Sequence, residues 1–450
     1  MNKRIIAIVV AVLMVVFVFA SCQDAAETAE TAATETEAAV EETVDDAATT
    51  ETETAEEPAE EEPAEEEPAE EASADIEYGS NIKCDMPAWY KEPTEERRTI
   101  CTGEPGDYGS LGYASGRYGD KATSYEEINL TDEQVEQVKG LGLKAAICMG
   151  FTGDDWSAGI VYGIKEECER LGIEIIAETE ADFKDTKQIS DLHAVAASKP
   201  DIIFTHPVNP LTETAVYQEM ADQGIRVVFI DQQAENMEPG KDFISVVTAD
   251  NYGIGIMIAD ELAKAIGGKG DVASLYYNPD FYVTNCRFEG FIDRIREYYP
   301  EINVIDVEGF DDWQNAQDAT AALLTKYPDL LGMYGSWDVP AVGVVAAAKL
   351  SNRTPEDFAV TIEDLGNEMA LNLASGGFIK GVGAQQTHLQ GHVQADVAAL
   401  DALGESVPSF IVVPGLDINI DNLDTEYPVI YGEELPADVA EALEQTRSAQ

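Results

Sequence analysis

Residues 143–171 read LKAAICMGFTGDDWSAGIVYGIKEECERL, and this stretch decides the fold. The mostly apolar run Leu143–Cys148 is too short for a helix and is typical of a strand buried in a sheet. After a turn with two glycines, Asp154 and Asp155 are suitable helix N-caps, and apolar residues then recur at helical spacing up to Leu171. Strand, loop and helix together predict the first half of a βαβ unit.

The loop of this unit carries the first candidate ligand contacts. In open α/β sheets, ligands bind in the crevice at the carboxyl ends of the strands. Asp154, Asp155 and Trp156 follow such an end and are therefore predicted to contact a ligand. Two interpretations of Trp156 stay open: it covers the edge of the sheet, or it stacks against a flat or ring-shaped ligand.

Residues 1–22 have the pattern of an export signal. Two basic residues precede an unbroken apolar run, Ile5–Ala20, which is slightly short for a bilayer span and is followed by small residues. The tetrad Phe19–Cys22 resembles a bacterial lipobox, which implies lipidation at Cys22, although Phe19 departs from the usual Leu. The alternative is an uncleaved anchor helix. Both interpretations place the rest of the chain outside the cytoplasm, tethered to the outer face of the cell membrane.

Residues 23–75 form a segment of low complexity. They consist almost entirely of Ala, Glu, Thr and Pro, with 22 acidic residues and no Lys or Arg. Such a composition cannot bury a core and predicts a disordered, extended linker. Most of the net charge of −60 nevertheless belongs to the residues after it. An acidic globule repels nucleic acid and anionic membranes, which favours a neutral or cationic small ligand.

Residues 76–140 show no clear period, and we expect an N-terminal extension of unknown fold there. Within it, Cys84 and Cys101 are a plausible disulfide for an oxidising compartment. Cys148 and Cys168 lie on a predicted strand and a predicted helix, where small buried thiols are the better interpretation. The run Leu130–Gln134 predicts a capped helix start just before the first strand.

From Leu143 onward, strand-like and helix-like segments alternate, which predicts parallel sheets with helices on both faces. So many strands exceed one core, and we expect two doubly wound α/β lobes with a crevice between them. The predicted first lobe comprises residues 141–250 and 386–408, the second comprises 251–385 and 409–450, and the hinge crosses near 250, 365 and 385. The strands after the first are predicted at 173–177, 201–205, 225–230, 243–248, 271–277, 302–307, 330–335, 358–363, 378–384 and 409–413.

Six short motifs follow one another along this body. They are Thr152–Ser157, Ile225–Asp231, Val247–Asn251 with Gly253 and Gly255, Arg287–Phe291, Asp312-Trp313 with Ala316, and Ala384-Gln385. Over residues 143–416 they resemble the type I periplasmic sugar-binding proteins, the ribose- and galactose-binding group of ABC-transporter substrate-binding proteins. The resemblance implies two hinged lobes that close on a sugar and present it to a transporter permease.

The resemblance also implies ligand-contacting residues. Asp231 and Asp364 stand at the positions of the family's sugar-binding Asp residues, and Gln385 at its final hydrogen-bonding residue. Either Asn285 or Arg287 stands at its ligand-contacting Arg. A sugar offers hydroxyl groups in fixed directions and apolar C–H faces, which carboxylates, amides and aromatic rings suit.

Four further positions belong to the predicted site. Gln232 stands where the ribose-binding pattern has Arg, so the identity of the ligand stays open. Trp337 favours a second stacking wall or a smaller pocket, and Asp338 either binds ligand or caps the next helix. His206 follows the strand at 201–205, where it contacts ligand or is a satisfied loop residue.

We therefore predict a monomeric extracytoplasmic solute-binding protein that takes a monosaccharide or a similar small polyol. We expect no cofactor and no metal, because no Cys or His spacing resembles a zinc site, and no nucleic-acid partner. A sensor that presents the ligand to a membrane receptor would have the same fold and site. A secreted carbohydrate-active enzyme is the other alternative, but no catalytic triad or phosphate loop stands out among the 87 acidic residues and their chance pairs.

Overall fold

The computed structural model describes residues 81–106 and 115–449. The predicted export signal at 1–22 with its lipidation site Cys22, and the predicted linker at 23–75, lie outside the described residues. Within the described ranges, every helix is too short or too polar to cross a bilayer. The chain folds into two α/β lobes, each built on its own sheet, which confirms the predicted fold class.

The secondary-structure elements follow one another in alternation. The strands are β1 (Thr123–Ser124), β2 (Lys144–Met149), β3 (Glu174–Glu180), β4 (Ile202–Thr205), β5 (Arg226–Ile230), β6 (Ser245–Ala249), β7 (Gly270–Tyr277), β8 (Ile302–Phe310), β9 (Gly332–Trp337), β10 (Ala359–Glu363), β11 (Ile379–Ala384), β12 (Phe410–Val413) and β13 (Leu416–Ile418). The helices are α1 (Glu95–Cys101), α2 (Asp132–Leu141), α3 (Asp155–Leu171), α4 (Asp185–Ala197), α5 (Thr214–Asp222), α6 (Asn251–Ile266), α7 (Tyr282–Tyr298), α8 (Ala316–Lys326), α9 (Asp338–Leu350), α10 (Asn367–Ala374), α11 (Thr387–Ala402), α12 (Leu423–Tyr431) and α13 (Ala437–Ala449). Short 3-10 helices lie at Tyr125–Glu127 and Trp313–Asn315.

The first lobe contains a seven-stranded sheet in the order β1-β12-β6-β5-β4-β2-β3. All of its neighbouring strands are parallel. The central strands β4 and β6 are buried along their whole length, which explains why they read as continuous apolar runs. Helices on both faces therefore cover a parallel sheet, and the carboxyl ends of its strands share one edge.

The second lobe contains a six-stranded sheet in the order β13-β11-β10-β9-β7-β8. Its strands are parallel except for β13, which runs antiparallel to β11. The strands predicted between residues 143 and 413 all form, with ends shifted by a few residues. Both sheets thus present strand carboxyl ends, where ligands bind in this class of fold.

One domain boundary differs from the prediction. The sequence assigned residues 409–450 to the second lobe, but β12 pairs with β6 in the first sheet, with Phe410 opposite Val246. Pro414 and Gly415 then interrupt the strand, and β13 continues in the second sheet. The chain crosses between the lobes after β6, β11 and β12, and not near residue 365, because β10 and β11 are neighbours in one sheet.

Glycines allow one helix pair in each lobe to pack backbone to backbone. A Cβ on Gly255 of α6 would lie 2.1 Å from the carbonyl oxygen of Arg287 on α7. In the first lobe, a Cβ on Gly163 of α3 would lie 2.2 Å from the carbonyl oxygen of His388 on α11. Any larger residue would push these helices apart, so glycine fixes how closely their side chains meet.

The described part of the N-terminal extension packs on both lobes. Ile82 forms a parallel bridge with β8 at the edge of the second sheet, and β1 pairs with β12 at the edge of the first. Between them, α1 lies against α7, where Arg97 Nε donates to Asp293 at 2.9 Å. A capping box between Thr131 and Gln134 confirms the predicted capped start of α2.

The predicted disulfide between Cys84 and Cys101 is wrong, because both cysteines are free. The Cys84 thiol lies 3.7 Å from a carbonyl oxygen of β8, and the Cys101 thiol lies 3.1 Å from the Tyr252 hydroxyl. Each cysteine thus docks on a different surface of the second lobe. Cys148 and Cys168 are fully buried, as predicted.

Candidate ligand-binding site

A cavity of about 810 Å³ lies between the two lobes, at the carboxyl ends of the strands of both sheets. Most of the predicted ligand contacts line it. They are Asp154, Trp156, His206, Asp231, Arg287, Trp337, Asp338, Asp364 and Gln385. Residues that are far apart in the sequence therefore meet in one cleft.

Three strands meet this cleft with a residue in the left-handed backbone conformation. Asp231 after β5, Ser336 in β9 and Asp364 after β10 have φ values of 62°, 65° and 55°. Residues other than glycine rarely adopt this conformation, and Asp tolerates it because its short side chain forms local hydrogen bonds. Such strain concentrates at binding sites, where the surrounding structure holds it in place.

A hydrogen-bonded chain connects the two lobes through the crossing after β6. The Thr248 hydroxyl donates to Asp231 Oδ1 at 2.9 Å and accepts from Asn251 Nδ2 at 2.9 Å. Asn251 Oδ1 accepts from Arg287 Nε at 2.7 Å, and Arg287 Nη1 donates to Glu363 Oε1. Asn251 thus ties carboxylates of both lobes to one guanidinium.

Several buried polar atoms around the cavity have no hydrogen-bond partner among the described residues. They are Trp156 Nε1, both ring nitrogens of His206, Arg287 Nη2 and Glu363 Oε2. A buried polar atom left unpaired costs about 1–3 kcal/mol, and native structures rarely leave several together. Because the set contains donors and acceptors, it suits a ligand with hydroxyl groups, which donate and accept at once.

Aromatic rings form a continuous wall from one lobe to the other. Trp156 meets His206 edge to face at 5.3 Å, and His206 meets Phe281 at 5.6 Å. Tyr277 lies 6.3 Å from Phe281 and 5.5 Å from Trp337. Trp156 is only partly buried and lines the cavity, which favours the stacking interpretation of this residue. The wall suits the C–H face of a ring-shaped ligand.

Burial shifts the pKa values of the titratable side chains that line the cavity. It raises the pKa of Asp231 to about 6 and the pKa of Glu363 to about 8, against the opposing charge of Arg287. Burial also raises the pKa of Asp364. The pKa of His206 falls to about 4, because burial and the nearby guanidinium disfavour the imidazolium. His206 is therefore neutral at pH 7, with one ring nitrogen as donor and the other as acceptor.

Asp155 is predicted as a ligand contact, but it does not line the cavity. Its Oδ2 accepts from the backbone amide of Asn367 at 2.7 Å. Asn367 is the first residue of α10, in the opposite lobe. Asp155 is turned away from the cavity because the start of α10 lies close to it. At that position its carboxylate accepts from a backbone amide that has no partner within the helix.

Gln232 and Asn285 also lie away from the cavity. Gln232 follows the left-handed turn at Asp231, and its side chain bonds both lobes: its Nε2 donates to a carbonyl oxygen of the first lobe at 3.2 Å, and its Oε1 accepts from the Tyr282 amide of the second lobe at 3.4 Å. Asn285 lies two residues before Arg287 on α7, so the two side chains face different sides of the helix. Its Nδ2 donates to Asp280 at 2.9 Å instead.

Asp154 and Asp338 both line the cavity at the start of a helix, but only Asp154 is a cap. Asp154 Oδ1 accepts from the Ser157 amide at 2.8 Å as the N-cap of α3. The N-cap of α9 is Trp337, which has no side-chain cap bond, and Asp338 follows it in the first turn, where its Oδ1 accepts from the Val339 amide at 3.0 Å. The cap interpretation of Asp338 is therefore wrong, and its place in the lining favours the ligand interpretation.

Other lining residues were not predicted as contacts. They include the aromatic residues Phe151, Tyr277, Phe281 and Trp313, the acid Glu363, and the cations Arg117 and Lys184. The strand-end rule applied to β7 would have found Tyr277, its last residue. The same rule applied to β10 would have found Glu363, its last residue, and Trp313 belongs to the motif Asp312-Trp313. Nothing in the sequence distinguishes the remaining ones from core or surface residues.

Comparison with known families gives one extended match. A family model described as a periplasmic binding protein domain matches residues 145–406. A galactofuranose-binding protein of Escherichia coli (strain K12) is 29% identical over 180 residues, which are 39% of this chain and 55% of that protein. The chain thus matches little more than half the length of that relative.

Solved structures agree with the fold. An ABC-transporter solute-binding protein of Agrobacterium vitis, bound with α-D-tagatopyranose, is 26% identical with a TM-score of 0.60. The match covers 65% of this chain and 100% of that one. A second solute-binding protein of Agrobacterium vitis, with bound allitol, is 26% identical with a TM-score of 0.54, over 63% of this chain and 97% of that one.

Proposed function

The chain belongs to the periplasmic binding protein family, and from that premise we propose that it is an extracytoplasmic solute-binding protein. It captures a monosaccharide or a similar small polyol in the cleft between its lobes. It then delivers the solute to the permease of an ABC transporter. Relatives named for galactofuranose binding, or solved with tagatopyranose or allitol, support a small polyhydroxylated ligand.

One observation carries this proposal: unpaired donors and acceptors converge on a cavity that also has an aromatic wall. Arg287 Nη2 and Trp156 Nε1 would donate to ligand oxygens, and Glu363 Oε2, which carries a proton below a pKa of about 8, would donate to a ligand hydroxyl. Asp231 and Asp364 line the same cavity and supply further acceptors. The ring of a sugar would place its C–H face against the tryptophans.

These groups are sufficient for useful affinity. A dissociation constant near 1 μM corresponds to about 8 kcal/mol. Hydrogen bonds to charged groups contribute roughly 1.5–3 kcal/mol each. Several such bonds, together with ring stacking, offset the loss of ligand freedom.

Contacts across the cleft support closure around the solute. Asp155 bonds the start of α10, and the Tyr282 amide donates to Gln232 Oε1 at 3.4 Å. At the rim, Arg117 Nη2 donates to Asp280 Oδ2 at 2.7 Å. A solute held by both lobes would shift the population toward this closed form, and the permease would recognise that form.

The charge of the cavity favours a second ligand class, a sugar or polyol that carries an amino group. The described lining contains the cations Arg117, Lys184 and Arg287 against a larger set of acids. The acids are Asp154, Asp182, Asp231, Glu235, Asp280, Asp311, Asp312, Asp338, Glu363 and Asp364. Burial raises the pKa of Glu363 to about 8 and the pKa of Asp338 well above its ordinary value, so these two add little negative charge at pH 7, but the remaining acids still outnumber the cations. This excess would attract an ammonium group and repel a phosphate.

We also propose that the mature protein is a lipoprotein anchored through Cys22. This rests on the sequence of residues 1–22 alone. Cys22→Ser is expected to leave the protein in the aqueous phase of a detergent partition, whereas the unchanged chain enters the detergent phase. Partition of both proteins into the detergent phase would favour the anchor helix instead.

The proposed protein is a binder, not an enzyme, and the family match supports this. A ligand that raises the melting temperature should therefore be recovered unchanged after prolonged incubation. A sensor would bind the same ligand at the same site. Crosslinking of the liganded protein to a permease, rather than to a receptor, separates transport from sensing.

The first experiment is a thermal-shift panel of pentoses, hexoses, deoxysugars, inositols and amino sugars, with sugar phosphates as negative controls. A ligand at one hundred times its dissociation constant stabilises the fold by about 2.7 kcal/mol. A panel without any hit among neutral and amino-bearing polyols would contradict the proposal.

Tryptophan fluorescence then locates the ligand. Trp156 and Trp337 line the cavity, whereas Trp89 packs on Phe288 of α7 at 5.5 Å. Replacing Trp156 or Trp337 with Phe should reduce the ligand-induced change, and Trp89→Phe should leave it intact. Trp313 lines the same cavity, so only a full change that survives replacement of Trp156, Trp313 and Trp337 together would place the ligand elsewhere.

A further inference from the structure

We propose a binding site for a divalent transition-metal ion such as Zn²⁺ on the first lobe, formed by Glu166 of α3 and by His388 and His392 of α11. One ligand atom from each residue lies within 4.8 Å of the others. The Nε2 atoms of both histidines are 2.8 Å from the same Glu166 oxygen, Oε2. The described lining of the solute cavity contains none of the three, so the two sites are separate.

Helix geometry brings these groups together. His388 and His392 are four residues apart and therefore lie on one face of α11, with ring centroids 4.4 Å apart. Gly163 allows α3 to pack against the backbone of α11. Glu166 follows Gly163 by three residues, nearly one turn, and so lies beside both rings.

A second carboxylate lies beside His392. Its Nδ1 lies 3.4 Å from Glu167 Oε2, within ion-pair distance. Glu167 is buried and accepts from Arg170 Nε at 2.7 Å. A proton on Nδ1 would face Glu167 and leave the Nε2 lone pair toward Glu166. Histidines that bind metals almost always have an outer partner of this kind.

The hydrogen bonds of this cluster show which atoms face one another. Glu166 Oε2, which has two lone pairs, lies within hydrogen-bond distance of the Nε2 atoms of both histidines. When the proton of each neutral ring is on Nδ1, both Nε2 lone pairs and the carboxylate are available to bind a divalent ion. Two His and one Glu, with a fourth position for water, form a ligand set that suits Zn²⁺.

The ligand chemistry also sets the selectivity. Imidazole nitrogens favour Zn²⁺, Co²⁺, Ni²⁺ and Cu²⁺, whereas Mg²⁺ and Ca²⁺ prefer oxygen ligands. The acidic surface of the chain attracts any cation, so competition by Mg²⁺ separates this site from general attraction. The sequence pattern did not reveal the site, because Glu166 precedes His388 by 222 residues.

The test is titration of the full chain, purified without a histidine tag, with Zn²⁺ by calorimetry and with Co²⁺ by visible absorption. We expect one ion per chain, a tetrahedral Co²⁺ spectrum and a higher melting temperature in Zn²⁺, all resistant to excess Mg²⁺. Glu167→Gln should weaken Zn²⁺ binding roughly 10- to 100-fold. The double variant H388Q/H392Q should lose the site. His193→Gln is the matched control, since His193 lies on α4 beside Glu219.

Two results would overturn the proposal. One is a double variant that still binds one Zn²⁺ with unchanged affinity. The other is wild-type binding that never saturates and equals that of the double variant. Circular dichroism and the melting temperature in excess chelator show that each variant is folded, so a loss of binding is not mistaken for a loss of structure.

Discussion

Two of the buried arginines of helix α7, Arg287 and Arg294, lie seven residues apart, and their surroundings differ. Arg294 is bonded at every guanidinium nitrogen: Nε and Nη2 donate to Asp260 at 2.5 and 3.0 Å, and Nη1 donates to the carbonyl oxygens of Cys101 and Gly103. Arg287 is bonded at Nε and Nη1, but its Nη2 has no partner in the described structure. All guanidinium nitrogens of Arg294 are therefore hydrogen-bonded, whereas Arg287 has one unpaired donor, Nη2.

The comparison shows how burial separates a structural residue from a binding residue. The N-terminal extension covers Arg294, and the ring of Tyr298 lies 4.0 Å from its guanidinium. Arg287 instead faces the cavity between the lobes. Both are equally buried, so the missing bond, and not exposure, marks the binding residue.

The largest expected effect is on stability, at Arg294, whose guanidinium is fully hydrogen-bonded. Arg294→Met removes the ion-pair partner of buried Asp260, so the free energy of unfolding should fall by about 3–5 kcal/mol. The solute dissociation constant should change less than about threefold, because the site is distant. Urea unfolding and calorimetry check both numbers. A large loss of affinity in a folded Arg294→Met protein would break the comparison.

The next largest effect is on solute affinity, at Arg287, which has one unpaired donor. Arg287→Gln should weaken solute binding by roughly 2–5 kcal/mol, about 30-fold or more in the dissociation constant. Its loss also leaves Glu363 without its arginine, so Arg287→Gln with Glu363→Gln is the paired control. In the double variant, stability should recover and affinity should not. Recovery of both would show that the single change acts through folding.

A smaller effect is expected at the residue that holds Arg287 in place. Asn251→Ala removes the acceptor of Arg287 Nε and the donor to Thr248, and should weaken binding by about 1–2 kcal/mol. Asn303→Ala is the control, since that side chain bonds Asp271 on the neighbouring strand. Equal affinities of the two variants would contradict the positioning role of Asn251.

The smallest effect is a pH dependence of the ligand-free protein. The pKa of Glu363 is about 8 in the fold and near 4.5 when exposed, so the folded state holds the proton more tightly. Its contribution to stability is therefore present at low pH and is lost as the pH rises toward 8. The slope from this group is at most about 1.4 kcal/mol per pH unit.

Comparison with Glu363→Gln isolates that slope. Glu213 and Asp396, whose pKa values also rise to about 8, titrate in both proteins and cancel. Melting temperatures between pH 6.5 and 8 should fall less steeply in the variant. This window lies above the ordinary pKa of His206, which would otherwise contribute with the opposite sign. Parallel curves would show that Glu363 does not titrate in the fold.

The fold and much of the cleft could be predicted because they follow local rules. Alternating strand and helix patterns predicted the parallel sheets. The family resemblance carried by short motifs implied Asp231 and Asp364, and it left Asn285 and Arg287 as alternatives for one contact. In each case, the few residues around the position carry the signal.

The remainder depends on contacts between distant segments. Asp154 and Asp155 are equivalent in the sequence, and only the approach of α10 decides which one reaches the cavity. Cys84 and Cys101 looked like a pair because their partners, on β8 and α6, come from more than 150 residues away. Phe281 was not predicted as a contact, because the sequence alone does not show that an aromatic side chain faces a cavity.

The N-terminal extension also determines how molecules meet one another. Ile82 pairs with β8 and β1 pairs with β12, so the extension covers one open edge of each sheet. A chain that began at Lys144 would bare both edges, with amide and carbonyl groups ready to add a strand from a neighbouring molecule. We expect such a shortened protein to aggregate even with its cleft intact, because the extension normally prevents the sheet edges of one molecule from pairing with those of another.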